Sequence, residues 1–487
     1  MSANDDTPFA GLEPAAVWRH FATLCATPRA SKSEAAIRDR LAQEMTALGL
    51  APEVDGAGNL IVRKPASPGR ESSPTVVLQG HLDMVCQKNA DSAHDFTRDP
   101  IAPTLRDGWL VAEHTTLGAD NGMGVSMILA ALEDPTLSHG PLEALLTVDE
   151  ETGMTGAHGL ESTRLKGRLM LNLDTEDWGE FYLGCAGGLD VDVRAAVTAE
   201  ALPAGYVTTT LSLRGLRGGH SGVDIHEGRG NAIRLLVGVL RALRAELPLR
   251  LARLDGGTAR NAIAREAFAV VALPAEALAK LAPLLAREAS RVRAELGAVD
   301  PGVTVVAQEG AADAVLSRDD EARWIAALSA APYGVRRMSE KVPGVVETSN
   351  NLGVVSITPE EGRANLMVRS LVDAESVALA DEIIALFAKH GIAGEASGAY
   401  PGWAPNPASP LLARCQAVYR ALHGSDAAVK VIHAGLECGI IGAKYPGLDT
   451  VSFGPTIRGA HAPGERVEVA SVGWAYDLLR RILTDLV

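Results

Sequence analysis

Basic side chains are in short supply here. Lys and Arg number 45 against 60 Asp and Glu, for a formal net charge of -15 and a pI near 5.3. Nucleic acid and anionic membrane surfaces both select basic proteins, so neither is expected as a partner. No stretch reaches the roughly 18 apolar residues of a membrane span. The opening MSANDDTPFAGLEP lacks the basic start and apolar run of a secretory signal. Cysteines are few and scattered (Cys25, Cys86, Cys185, Cys415 and Cys438), with no C-x-x-C pair. That pattern suits free thiols in a reducing compartment, and the expectation is a cytoplasmic enzyme.

Several catalytic signatures are missing as well. There is no Walker sequence. GADNGMG (118–124) lacks the G-x-G-x-x-G spacing of a dinucleotide loop. GHSGV (219–223) has Val223 where a nucleophile elbow needs its second glycine. What is present is ample core: 47% of the 487 residues are hydrophobic and 22% charged, enough for roughly two to four domains.

Short apolar runs at 59–63, 75–79, 143–148, 168–173 and 180–184 read as buried strands. Helical patterns at 32–48 and 121–135 lie among them. This predicts an α/β domain with a central mixed, mostly parallel sheet. From about residue 190 the character changes. Strand-like 208–215 and 266–274 alternate with amphipathic helices at 231–247 and 276–296, and a similar order recurs at 353–391. Helices at 409–424 and 470–487, with a strand at 449–455, return to the first style. The simplest architecture is a discontinuous catalytic domain, residues 1–190 and 399–487. It is interrupted by an inserted α+β lid over 191–398, divided into two α+β sub-lobes.

The candidate chemistry sits just past the strands. His81 and Asp83 follow TVVLQG, Glu150 and Glu151 follow EALLTVD, Asp174 follows RLMLNL, and His461 follows TVSFGPTIRGA; Asp120 precedes the 121–135 helix. In open α/β sheets these strand ends line the ligand crevice. Two imidazoles and three carboxylates suit a pair of divalent cations, zinc first, with manganese or cobalt as alternatives. Cations would also explain how adjacent Glu150 and Glu151 coexist. In His81-Leu82-Asp83 the outer two side chains point the same way from extended backbone, so Asp83 can take the second imidazole N–H. Taken singly, each of these residues reads better as a cap or a solvated loop than as a ligand. Pattern alone leaves the metal site and that plainer reading level.

The strings HLDMV (81–85), TTLGADNGMG (115–124), TVDEETGMTGA (147–157), NLDTED (172–177), GLRGGHSG (215–222), GGTARNAI (256–263), GAYPGW (398–403), HAGLECG (433–439) and GPTIRGAHAP (454–463) resemble the aminoacyl-histidine dipeptidases. These are also called cytosol non-specific dipeptidases and belong to the dinuclear zinc exopeptidases. One departure is Cys86, where the family pattern has proline. The resemblance implies a zinc-exopeptidase-like fold and broad dipeptide hydrolysis that includes Xaa-His. It implies His81, Asp120, Glu151, Asp174 and His461 as metal ligands, with Asp120 bridging, and a cis peptide at Asp120–Asn121. Glu150 would be the general base for a metal-bridging hydroxide, and Asp83 the orienting carboxylate. His220 would donate to the oxyanion, and Asn261 and Arg369 would grip the substrate carboxylate, with closure of the lid assembling the site. Self-association as a homodimer, with His220 acting in its own chain or its partner's, stays open. So do an N-acyl-amino-acid amidohydrolase on the same scaffold and a metal-loaded but inactive binding protein.

Overall fold

The structure is a computed structural model that describes residues 8–89 and 91–486. The chain divides into two compact units. The first comprises the described residues up to Gly184, Pro405–Val431, and those from Glu437 onward; the second comprises Cys185–Ala404 and Ile432–Leu436. The boundaries expected from sequence fall nearby but miss the short return at 432–436. That segment joins the second unit through Ala186 N–H to Ile432 O (3.0 Å) and His433 to Ser349 (2.8 Å).

The first unit is built on an eight-stranded mixed sheet. Its centre is parallel, in the order Leu142–Thr147, Val76–His81, Leu169–Asn172, Asp449–Ser452. Antiparallel strands flank it: Leu60–Lys64 and Ala51–Val54 on one side, Glu180–Cys185 on the other. The parallel strands are continuous apolar runs because both faces are covered; every residue of Val76–His81 and Leu142–Thr147 is buried. The helix Ala119–Glu133 is buried on all sides from Asn121 to Leu132, as a helix without a polar face must be. It packs between the strand Val76–His81 and the helix Ala15–Cys25. Each fully buried Leu or Ile there contributes about 1.5–3 kcal/mol relative to exposure.

A small four-stranded antiparallel sheet orders Ile457–Arg458, Arg466–Glu468, Trp109–Val111 and Thr104–Arg106. Its strands are too short to show periodicity, and none was expected from sequence. It matters because it brings the loop 459–465 beside the segment that leads into Asp120.

In the second unit, the two α+β segments do not form separate sub-lobes. Their strands share one nine-stranded antiparallel sheet, joined where Arg250–Gly256 pairs with Val346–Ile357. Burying that edge removes the unpaired backbone that two separate lobes would each expose. The amphipathic helix Ala232–Arg244 covers part of this sheet. Its N-cap, Asn231, accepts from the N–H groups of Ile233 and Arg234.

Candidate metal centre

Four parallel strands end along one edge, and the loops leaving that edge carry the ionisable residues. His81 is the last residue of Val76–His81. Glu150 and Glu151 follow Leu142–Thr147, Asp174 follows Leu169–Asn172, and His461 sits in the loop after Ile457–Arg458.

Asp120 lies between the two imidazoles. Its Oδ1 is 3.3 Å from His81 Nε2 and its Oδ2 is 3.1 Å from His461 Nε2. His81 Nε2 is also 3.5 Å from Asp174 Oδ1, and His461 Nε2 is 3.2 Å from Glu151 Oε2. Three candidate ligand groups have their donor atoms within 4.8 Å of one another: His81–Asp120–Asp174 and Asp120–Glu151–His461, which share Asp120, and His81–Glu150–Glu151. A tetrahedral ion with bonds of roughly 2.0–2.1 Å needs donors about 3.3–3.4 Å apart. The observed spacings straddle that edge length. Glu151 Oε1 and Asp174 Oδ1 are buried without a hydrogen-bond partner, a costly state for carboxylate oxygens unless a cation meets them. The residues therefore fit a pair of divalent ions. The Asp120–Asn121 peptide is cis.

Crowding of acids and imidazoles shifts their titration. Burial raises the Asp174 carboxyl to about 6, with Asp120 and Glu151 adding to the shift against His81. Glu150 is raised well above the carboxylate range, first by burial and then by Glu151, Asp174 and Glu437. Burial alone would lower His81, but Asp174, Asp120 and Asp83 outweigh it and raise the ring well above an ordinary imidazole. Hydrogen bonds to Asp120 and Glu151 push His461 up to about 11.

Asp83 does more than face His81. Its Oδ1 lies 3.4 Å from His81 Nδ1. Its two oxygens also accept the backbone N–H groups of Glu150 (3.0 Å) and Glu151 (3.2 Å), and the Ser31 hydroxyl donates at 2.7 Å. His81 Nδ1 also meets the Asp83 main-chain O at 3.2 Å, so this one residue faces the imidazole with two oxygens while its carboxylate fixes the Glu150–Glu151 backbone. The third acid of the run turns away. Asp149 is buried at φ 57° and accepts from Thr152 and Thr155 instead of facing its neighbours.

Sequence reasoning passed over four buried groups here. Glu437 accepts from Gln79 Nε2 (2.7 Å) and Thr147 Oγ1 (2.5 Å). Gln79 accepts in turn from Asn172, whose carbonyl accepts from Ser452. One polar residue from each of the four parallel strands joins this row directly beneath the site. Glu176 is raised to about 8 by burial, with Asp120 as its main acidic neighbour. Glu465 and Arg29 hold the turn before Asp120. Glu437 and Glu176 lie inside the strings HAGLECG and NLDTED, which was the available signal; Arg29 had none.

His220, Asn261 and Arg369 all lie in the second unit, on one local frame. Gly219–His220 pairs with Ala262–Ile263, and Ser221 N–H donates to Asn261 O at 2.8 Å. Arg369 is buried; it donates to Tyr400 Oη (2.8 Å) and lies 3.4 Å from Ser221 Oγ and 3.3 Å from His220 Nε2. The N–H groups of Gly222 and Val223 approach His220 Nδ1 at 3.2 and 3.0 Å. Arg369 Nη2 faces Nε2 in the same way, so both ring nitrogens have donors opposite them. The Arg369 guanidinium and the His220 ring thus share one donor-rich region, an arrangement suited to an anionic oxygen. Burial lowers nearby His433 to about 3, with Arg369 and His220 adding to the shift. Cys86 is half-buried near Met84 O, and none of the five cysteines forms a disulfide.

Residues 211–300 match the family model of a peptidase dimerisation domain. The chain resembles the aminopeptidase PepT of Bacillus cereus in fold, with a TM-score of 0.56 at 16% identity over 98% of this chain and 99% of that one. The aminoacylhistidine dipeptidase of Vibrio alginolyticus superposes with a TM-score of 0.87 at 44% identity, over 99% of both chains. The cytosol non-specific dipeptidase of Escherichia coli K12 is 43% identical over 98% of each chain. With identity sustained along the full length of both proteins, the chain belongs to the cytosol non-specific dipeptidase family.

Proposed function

We propose that this chain is a cytoplasmic, metal-dependent dipeptidase that hydrolyses short peptides of broad sequence, Xaa-His among them. The observation that carries the reading is Asp120 set between His81 and His461, with Asp174 and Glu151 completing two donor groups. Zinc suits the donor set first, with manganese or cobalt as alternatives. Two such ions would supply Lewis acidity toward the scissile carbonyl and lower the pKa of bound water toward neutrality.

The protein's own residues then divide the work. Glu150 accepts the proton of the attacking water at its carboxylate and returns it to the leaving amine nitrogen. Asp83 keeps His81 in orientation and holds the Glu150 backbone in place. His220 is proposed as the donor to the developing oxyanion, and Arg369 with Asn261 as the clamp on the substrate carboxylate. Association into a homodimer belongs to the same proposal, supported by the match of 211–300 to a dimerisation domain.

The experiment is a panel assay of metal-reconstituted protein against Xaa-His dipeptides, other dipeptides and N-acyl amino acids. Turnover of free dipeptides is the expected result. A preference for blocked N-termini, or inertness across the panel with metal bound, would overturn the reading.

A further inference from the structure

Among the buried acids near the site, Glu465 has the most unusual setting. Its side chain meets a row of backbone amides rather than a base. Oε2 accepts from the N–H groups of Leu117 (2.7 Å) and Gly118 (3.0 Å), and Oε1 from those of Ala119 (2.8 Å) and Asp120 (3.3 Å). Four successive amides converge on one carboxylate, the concave arrangement that backbone offers to an anion. Gly118 makes it possible. Its φ of +70° turns the amides inward, and a side chain there would strike Arg29 Nη2 at 2.3 Å.

Arg29 holds the opposite side of the same turn. Its guanidinium is buried and donates to Gly118 O (2.5 Å), Leu82 O (2.9 Å) and Asp83 O (3.0 Å). Gly118 is therefore gripped by its N–H through Glu465 and by its C=O through Arg29. Glu465 is anchored in turn by its own backbone, because Ala112 N–H donates to Glu465 O at 3.1 Å and Gly464 N–H to Ala112 O at 2.9 Å. The loop that carries His461 also carries Glu465.

We infer that Glu465 is a positioning residue. It ties the His461 loop to the Asp120 turn and so sets the spacing of the second donor group, Asp120–Glu151–His461. Arg29 performs the matching task for the first group by joining the Asp120 turn to the strand end at Leu82–Asp83. The inference rests on the two-ion reading of the site. Neither residue touches a reacting atom in this scheme.

The test is metal binding by calorimetric titration of the metal-free chain with Zn2+, together with hydrogen exchange of the turn amides. Wild-type protein should bind two ions. Glu465→Gln keeps the side-chain volume but turns an NH2 group toward two backbone donors. It should keep the first ion at wild-type affinity and bind the second about 10–100-fold more weakly, the usual scale for a partner behind the ligands. A change confined to one of two sites distinguishes positioning from a general loss of fold. Hydrogen exchange on metal-free wild-type protein requires no variant. The amides of residues 117–120 should stay protected without metal, since Glu465 rather than a cation holds them. Two ions bound by Glu465→Gln with unchanged affinities, both ions weakened alike, or free exchange of 117–120 in metal-free wild type would each overturn the inference. Wild-type protein that binds only one ion would overturn the two-ion reading instead, and the two failures are told apart by that control.

Discussion

Glu150 and His461 are both drawn toward the site by acids and imidazoles, yet their proposed tasks differ, and single substitutions separate them. Glu150→Gln removes a proton acceptor while leaving the donor groups centred on Asp120 intact. It should lower kcat by at least about 10²-fold, the usual scale for lost acid–base catalysis, with metal content unchanged by elemental analysis. His461→Ala removes an imidazole 3.1 Å from Asp120 and 3.2 Å from Glu151. It should leave one ion per chain where the wild type holds two. Stripped metal in Glu150→Gln with turnover restored by added zinc would mean that the two adjacent glutamates have exchanged roles. These residues were legible in the sequence because they stand at strand ends in recognisable strings. Glu465 and Arg29 were not, since buried polar groups that pair with distant backbone leave no periodicity and no spacing.

At the scale of elements, the site depends on how closely the helix Ala119–Glu133 approaches the segment between the strand Leu169–Asn172 and Asp174. A Cβ on Gly124 would lie 2.1 Å from Leu173 O and 2.7 Å from the Asn121 side chain. Gly124→Ala should therefore push helix and strand apart. An overpacking cost of about 1–3 kcal/mol is expected in denaturant unfolding, with weaker binding of the ion held by His81, Asp120 and Asp174. Unchanged stability and metal affinity would show that the contact yields freely. Long apolar strands and the amphipathic helix of the second unit could be read in advance, because their period is their signal. The four-stranded sheet that carries the His461 loop could not, with strands of two or three residues. The expected division of the second unit into sub-lobes failed for a related reason. A repeated α+β order does not reveal that its strands pair edge to edge, as Arg250–Gly256 and Val346–Ile357 do here.

For the whole molecule, the acids gathered in the first unit make stability depend on pH in a definite direction. Burial raises Asp174, Glu437 and Glu176 to about 6, 7 and 8. A raised carboxyl keeps a proton in the folded state that the unfolded chain has already released, so stability falls as pH rises from the ordinary carboxylate range through the raised value. His461, raised to about 11 by Asp120 and Glu151, has the same sign above the ordinary imidazole value of about 6.5. The metal-free protein should lose melting temperature between about pH 6.5 and about pH 8, above the range where the lowered His433 acts with the opposite sign. Divalent cations should restore most at the upper end, where they replace protons already leaving. A metal-free melting temperature that stays flat or rises across that window would contradict this account.

The central claim is that side chains from three strand ends and two loops gather a pair of cations to cleave a peptide bond. Titrating metal-free protein with Zn2+ while following hydrolysis of an Xaa-His dipeptide tests it most directly. Two ions should bind per chain, and turnover should rise with occupancy of the pair. Full turnover without metal, or two bound ions with no dipeptide cleaved, would contradict it.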